Sequence, residues 1–324
     1  MGERRIADNS GLKMSDIKRV DLKNAKRYSV KDRKTRSDVK RFAGVPKSIK
    51  SFFDSLPHFL KAADLKNLAA DIIQARKHKK AIIWMMGAHP LKIGLPPIII
   101  DLLKNGYITH LALNGAGVIH DLEIAYWGRT SEEVAETLAD GSFGMVKETP
   151  EYLARALTQA ESIDGIGEAV GMFLAKENPP YVSYSVVAQA HRMKIPVSVH
   201  VAIGTDTICQ HPEFDAALWG EKSHLDFKML AENVKFLHNG GVVINFGSAV
   251  ILPEVFLKAL TVARNIYGDI TGFSAANFDM IQHYRPNVNV VERPTIGGGK
   301  KYSFTGHHEL MMPLLAAALK SLPK

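Results

Sequence analysis

Between Ile108 and Gly128 the chain reads ITHLALNGAGVIHDLEIAYWG, and this stretch constrains the fold more than any other. Ile108, Leu111 and Leu113 suit a buried parallel strand, although an apolar run this short also fits a core helix. The turn Asn114-Gly115-Ala116-Gly117 follows, in which glycine permits positive φ and close approach by another backbone or a ligand. Val118, Leu122 and Tyr126 then recur at helical spacing on one face. A strand, a glycine turn and a helix in that order present backbone N–H groups and a positive helix end to a phosphate. A full GxGxxG is absent, so the turn also reads as tight packing with no ligand.

The same alternation runs along the body of the chain. Val45-Pro46 opens an expected helix with Ile49, Phe52, Phe53 and Leu56 as its stripe, and Leu65–Ile73 marks a second. Strands are expected at Ala81–Met86, Ile108–Leu113, Pro196–Ile203, Gly241–Phe246 and Asp269–Ser274. Helices are expected at Pro96–Asn105, within residues 131–178 with Ser131 as a cap, and at Tyr184–Met193, Leu225–Leu237, Glu254–Tyr267 and Leu310–Leu322. Strands alternating with helices predict an α/β fold, a mostly parallel sheet covered on both faces. The loops that follow strands, GAHPLK, NGAGVIHD, GTDTICQHP, FGSAV and SAANFD, then gather at one sheet edge, where open α/β sheets bind ligands.

Charge separates a head from this body. Residues 1–50 carry 16 Lys/Arg and 6 Asp/Glu, leaving 25 and 27 of the total 41 and 33 for the rest. The basic excess therefore belongs to residues 1–44, expected to be an arm, and the body 45–324 to be one α/β domain. Clustered cations attract phosphates, but no aromatic-interleaved motif or recognition helix accompanies them, which disfavours nucleic acid. The longest apolar runs are too short to span a bilayer, no secretory segment is read at the start, and the lone Cys209 makes no intramolecular disulfide. A cytoplasmic setting is the expectation.

Six histidines, His89, His120, His200, His211, His307 and His308, fall in or near the expected edge loops. Imidazole titrates near working pH and serves as acid or base. No HExxH or HxxxH pair occurs, so no metal site is expected. Asp206 reads either as a ribose acceptor or as a turn-forming carboxylate. Gly297-Gly298-Gly299 with Lys300 and Lys301 reads as an anion cradle or as a loop tip.

Taken in serial order, NGAGVIHDLE, AQAHRMKIPVSVHVAIGTD, GGVVINFGSAV, DITGFSAANFD and GHHELMMPLLAAAL resemble segments of the deoxyhypusine synthase family, from about Ala81 to Leu322. The resemblance implies a variant Rossmann-like NAD-binding fold and a homotetramer whose N-terminal arms contact neighbouring subunits. It implies Asp206 as a cofactor contact and brings His120 and His307 to cofactor-contacting positions. Asn114, Gly115, Gly117, Gly247, Ser248, Ser274 and Ala275 complete the expected cofactor set. The family's Trp-Gly-Lys motif is missing, and Asn287-Val288-Asn289 stands where polyamine-holding carboxylates belong. A buried cation without carboxylates is costly, so deoxyhypusine synthesis is not expected.

The expected activity is NAD-dependent oxidation or transfer at an amine or alcohol carbon. His120 or His307 is the expected acid/base, and Lys300 or Lys301 the anchor or substitute nucleophile. His89, Lys92, Arg285 and Arg293 are the expected contacts to a small anionic or zwitterionic substrate. The alternative is a non-catalytic nucleotide-binding protein whose basic arm engages a partner or nucleic acid.

Overall fold

A computed structural model describes residues 51–321; the expected arm, and Val45-Pro46 with Ile49, lie outside them. Six strands form one sheet: β1 (Ile82–Met86), β2 (His110–Asn114), β3 (Val197–His200), β4 (Val242–Phe246), β5 (Ser274–Asp279) and β6 (Lys300–Thr305). Every pairing is parallel and the spatial order is β3-β2-β1-β4-β5-β6. The fold is therefore α/β and Rossmann-like. The order reverses between β1 and β4, where two crossovers leave in opposite directions and open a crevice at the strand C-termini.

Helices α1 (Phe52–Ser55) and α2 (Leu60–Lys77) precede β1, and α3 (His89–Lys92) and α4 (Pro96–Lys104) lead to β2. Five helices join β2 to β3: α5 (Gly115–Trp127), α6 (Val134–Asp140), α7 (Glu148–Gln159), α8 (Ile166–Glu177) and α9 (Val186–Arg192). Then α10 (Ala216–Val234) leads to β4, α11 (Ile251–Tyr267) to β5, and α12 (His308–Ser321) follows β6. Local chemistry sets several boundaries. Pro96 and Pro97 open α4 where a missing N–H costs nothing. Asp215 caps α10 by accepting from Ala217 N (2.9 Å) and Leu218 N (3.0 Å).

Strand alternation divides the core. Trp84, Phe246, Phe278 and Phe304 face one layer, and Ile83, Met85, Val243 and Ala275 belong to the other or its strands. The aromatics stack across neighbouring strands, Phe246 on Phe278 and Phe278 on Phe304 with centroids 4.5 Å apart in each case. Such cross-strand pairs add about 0.5–1.5 kcal/mol each beyond their burial. On the opposite face Asn245 Nδ2 donates to Asn277 Oδ1 (2.8 Å), Asn277 Nδ2 to Gln282 Oε1 (2.9 Å), and Gln282 Nε2 to Phe304 O (2.8 Å). This amide chain ties the ends of β4, β5 and β6.

The structure corrects several expectations. The strand expected at Asp269–Ser274 is a loop, and β5 is the SAANFD segment read as the loop after it. Lys300 and Lys301 open a sixth strand, and the link from β5 to β6 is a π-helix, Pro286–Glu292. Ser131 does not cap a helix: its φ is +73°, and α6 begins at Val134 with no side-chain cap. Helix α10 begins nine residues ahead of the expected Leu225.

Candidate functional site

At the reversal point two glycines bring β1 and β4 together. A Cβ on Gly87 would lie 2.8 Å from Gly247 O, so the strand ends touch backbone to backbone. Gly247 has φ +67°, and a Cβ there would lie 2.3 Å from His308 Cε1. His308 is buried, with Nε2 3.2 Å from Phe278 O and Nδ1 without a hydrogen-bond partner. His89 meets it edge to face at 5.4 Å. Burial, then the neighbouring His308 and Lys92, pushes the His89 imidazole below its ordinary range. Ser248, expected to touch a cofactor, accepts from Leu252 N (3.2 Å) at the start of α11.

The turn after β2 is organised by two carboxamide and carboxylate acceptors. Asn114 Oδ1 accepts from Gly117 N (2.9 Å) and caps α5. Asp206, arriving from the loop after β3, covers Gly115 so closely that a Cβ would sit 2.0 Å from Oδ2. Its carboxylate also accepts from the Ala116 backbone N–H. Neither Gly115 nor Gly117 has positive φ, so glycine serves close approach here. Burial raises the Asp206 carboxyl to about 6, against the lowering effect of that hydrogen bond.

A chamber of about 200 Å³ lies beside this turn, lined among others by Lys92, Ala116, His120, Glu123, Thr205 and Asp206. Within it, His120 Nδ1 stands 2.5 Å from Thr130 Oγ1, and Thr130 donates to Glu123 Oε2. Thr149 Oγ1 donates to the other Glu123 oxygen at 3.1 Å. Burial raises the Glu123 carboxyl, but its contacts with His120, Thr130 and Thr149 outweigh that and hold it below its ordinary value. A hydroxyl has one proton, and Thr130 gives it to a carboxylate that has none to return. Thr130 must then accept from His120 Nδ1–H, which leaves the Nε2 lone pair of the neutral ring free as a base.

The expected residues therefore divide. Asn114, Gly115, Gly117, Asp206, His120, Lys92, His89, Gly247 and Ser248 gather at the C-terminal sheet edge. Ser274, Ala275, Lys300 and Lys301 stand at the N-terminal ends of β5 and β6, because β5 starts where the sequence suggested that it stopped. There Asp71 accepts from Ser274 Oγ (2.7 Å), Tyr302 OH (2.9 Å) and Lys300 Nζ (2.5 Å). Lys301 pairs with Glu292 (2.5 Å) and Arg285 with Glu254 (3.3 Å). Arg293 donates to Asn289 Oδ1 (2.9 Å) and Tyr284 OH (3.3 Å). His307 is exposed, 3.8 Å from Glu309.

Sequence reasoning missed Glu123, Thr130 and Thr149. Glu123 was detectable three residues after His120 on the same helix face; Thr130 comes from a loop and carries no such signal. It named His200 but missed its buried partner His110: His110 Nε2 and His200 Nε2 lie 2.9 Å and 3.0 Å from Ser198 Oγ. A larger cavity of about 710 Å³, bordered by Pro196, Val197 and Asp226, lies at the start of β3, on the opposite sheet edge. Among the described residues no group of three or more His, Cys, Asp or Glu is arranged to hold a metal, and no helix is long and apolar enough to cross a membrane.

No protein-family model matches the chain, and no curated protein matches it. Solved structures do. The ternary complex of AgrE with ornithine and NAD+ aligns at TM-score 0.52 and 14% identity, over 80% of this chain and 33% of that one. A conserved LOR/SDH protein from Methanococcus maripaludis S2 aligns at TM-score 0.51 and 15% identity, over 81% of this chain and 70% of that one. A protein described as a deoxyhypusine synthase from Entamoeba histolytica aligns at TM-score 0.47 and 10% identity, over 86% and 94%. This chain spans about a third of the length of AgrE. At these identities the first two likenesses establish a shared fold, and at its TM-score the third carries no argument.

Proposed function

We propose that the C-terminal sheet edge binds a dinucleotide of the NAD type and that the chain is an enzyme that oxidises, or transfers a group from, an amine or alcohol carbon. The observation that carries this reading is Asp206, a half-buried carboxylate with one backbone N–H donor beside the glycine turn of a parallel sheet. A ribose diol offers two O–H donors to such a group. Support also comes from AgrE, a protein of like fold solved with NAD+ and ornithine.

The chamber, at about 200 Å³, is smaller than the roughly 300–1,000 Å³ of ligand pockets. It would hold only part of a dinucleotide, with Asp206 as the acceptor for a ribose. Bound NAD supplies an acceptor for the hydride leaving the substrate carbon. His120 Nε2 takes the proton from the adjoining N–H or O–H, and Thr130 and Glu123 hold the ring and stabilise the imidazolium that results. The lysines at the start of β6 are ion-paired and take no part. Deoxyhypusine synthesis is not the proposed reaction.

The test is calorimetry and thermal melting with NAD. A ligand at about 100 times its dissociation constant stabilises the native state by about 2.7 kcal/mol, so melting rises by several degrees. No heat and no shift overturn the reading.

A further inference from the structure

Of the cations expected from sequence to hold an anionic substrate, four are engaged elsewhere, Arg285, Lys300 and Lys301 by carboxylates and Arg293 by neutral groups. Lys92, also expected, and Arg129, which was not, are unengaged. Lys92, on α3, and Arg129, just past the end of α5, are exposed, and their side chains make no hydrogen bond or ion pair among the described residues. Both line a groove of about 470 Å³ whose wall contains no acidic residue. Its sides include Pro96, Tyr181 and Tyr184, and the two tyrosines are 44% and 49% exposed.

The groove is built. Gly128 ends α5 with φ +64°, and a Cβ there would lie 2.9 Å from Tyr181 Cζ, so the ring rests on the helix end. Tyr181 N donates to Ala125 O (2.9 Å) and fixes that contact. Arg129 and Thr130, the next two residues, line the groove. Arg129 also borders a neighbouring pocket with Glu123, Glu132 and Glu148. Glu132 accepts from Gly144 N (3.2 Å), Glu123 accepts from Thr130 and Thr149, and none of the three pairs with Arg129 among the described residues. Lys92 lines both this groove and the His120 chamber, and Thr130, in the groove wall, bonds His120.

We propose that this groove binds the carboxylate or phosphate of a small ligand between Lys92 and Arg129, against the tyrosine faces, next to the His120 chamber. A guanidinium makes two parallel hydrogen bonds to either anion, and the ammonium adds a point charge. Aromatic faces favour a ligand with a flat or apolar segment behind the anion. That the ligand is then processed at His120 rests on the function proposed above; anion binding itself does not.

The anion has two sources, a substrate or the pyrophosphate of the dinucleotide. Inorganic phosphate, succinate and NAD, titrated separately into the full chain and into Arg129→Gln and Lys92→Gln, distinguish them. At least one probe binds the wild type and weakens by about tenfold in each variant, the loss of one charged hydrogen bond. The ligand-free variants melt with the wild type. Loss limited to phosphate or succinate assigns the groove to a substrate, and loss limited to NAD assigns it to the cofactor. Phosphate binding that depends on Arg129 in a chain that does not bind NAD sinks the NAD reading and leaves the groove standing. No binding by any probe, or affinities equal in wild type and variants, overturns the proposal.

Discussion

The Asp206 carboxylate occupies the space above Gly115 that any Cβ would fill, 2.0 Å from Oδ2, and holds the Ala116 N–H at the start of α5. The chain thus places its own anion where the positive helix end would draw one.

Gly115→Ala must expel that carboxylate. We expect a destabilisation of about 1–3 kcal/mol, the range for overpacking a filled site. Asp206→Asn keeps an acceptor for Ala116 and removes the buried charge. Because folding raises the Asp206 carboxyl to about 6, its favourable contribution is complete below the unfolded value near 3.8 and disappears as pH rises through about 6. The Asn variant should therefore gain relative to wild type between pH 4 and pH 7. Urea midpoints across that range check the sign, and a gain that grows toward low pH contradicts it.

The buried histidines under β2 and β3 act in the opposite direction. Burial lowers both His110 and His200 to about 3, with His200 adding to the lowering at His110. Stability from keeping them neutral is present above their unfolded value near 6.5 and is lost progressively as pH falls toward about 3. Ser198 joins the pair through one hydroxyl, which can donate to at most one of the two rings. Ser198→Ala leaves a buried donor or acceptor unmet and should cost about 1–3 kcal/mol at neutral pH. Chemical denaturation of the variant at pH 7.5, with wild type followed from pH 7.5 to pH 4, measures both effects.

Much of this was legible. The β2 turn and α5 could be read because an apolar run, two glycines and a helical stripe agree in one place. Strand β5 could not. SAANFD buries Asn277 and Asp279 with small alanines, a composition that resembles a loop, whereas DITGFS carries β-branched residues yet turns at Gly272 with φ +70°. A shift of one strand length moved Ser274 and Ala275 to the wrong sheet edge. Lys300 and Lys301 followed three glycines and read as a loop tip, because an edge strand with exposed ends has little apolar signal. The placement of Asp206 over Gly115 and of Thr130 beside His120 depends on distant loops meeting, which no local pattern encodes.

Gly247 and His308 should be energetically coupled. Alanine at 247 combines an unfavourable positive φ, about 1–2 kcal/mol, with a Cβ 2.3 Å from His308 Cε1. His308→Ala alone empties a packed site. In the double variant the cavity receives the new methyl, so the two losses should sum to more than the measured total by about 0.5–3 kcal/mol. A double-mutant cycle by urea denaturation reads the coupling, and strict additivity would show that the imidazole yields freely.

The last prediction concerns the tautomer of His120. Its Nδ1 lies 2.5 Å from a threonine hydroxyl whose proton goes to Glu123. That order of donors makes Nδ1 the protonated nitrogen of the neutral ring and leaves the lone pair on Nε2. Thr130→Val preserves the shape of the side chain and removes the bridge. Glu123 keeps Thr149, so the fold should survive with a loss of about 1 kcal/mol, typical of one hydrogen bond. The ring, however, loses the acceptor that fixed its tautomer. Nitrogen NMR of the imidazole above its titration range should show Nδ1–H in the wild type and a mixture in the variant, with Thr130→Ser restoring the wild-type pattern. If NAD-linked turnover is found, it should fall with Thr130→Val through kcat, within the roughly 10²–10⁴-fold that a positioned acid/base group contributes. A wild-type ring protonated at Nε2 would reverse the direction of the relay and remove His120 as the base.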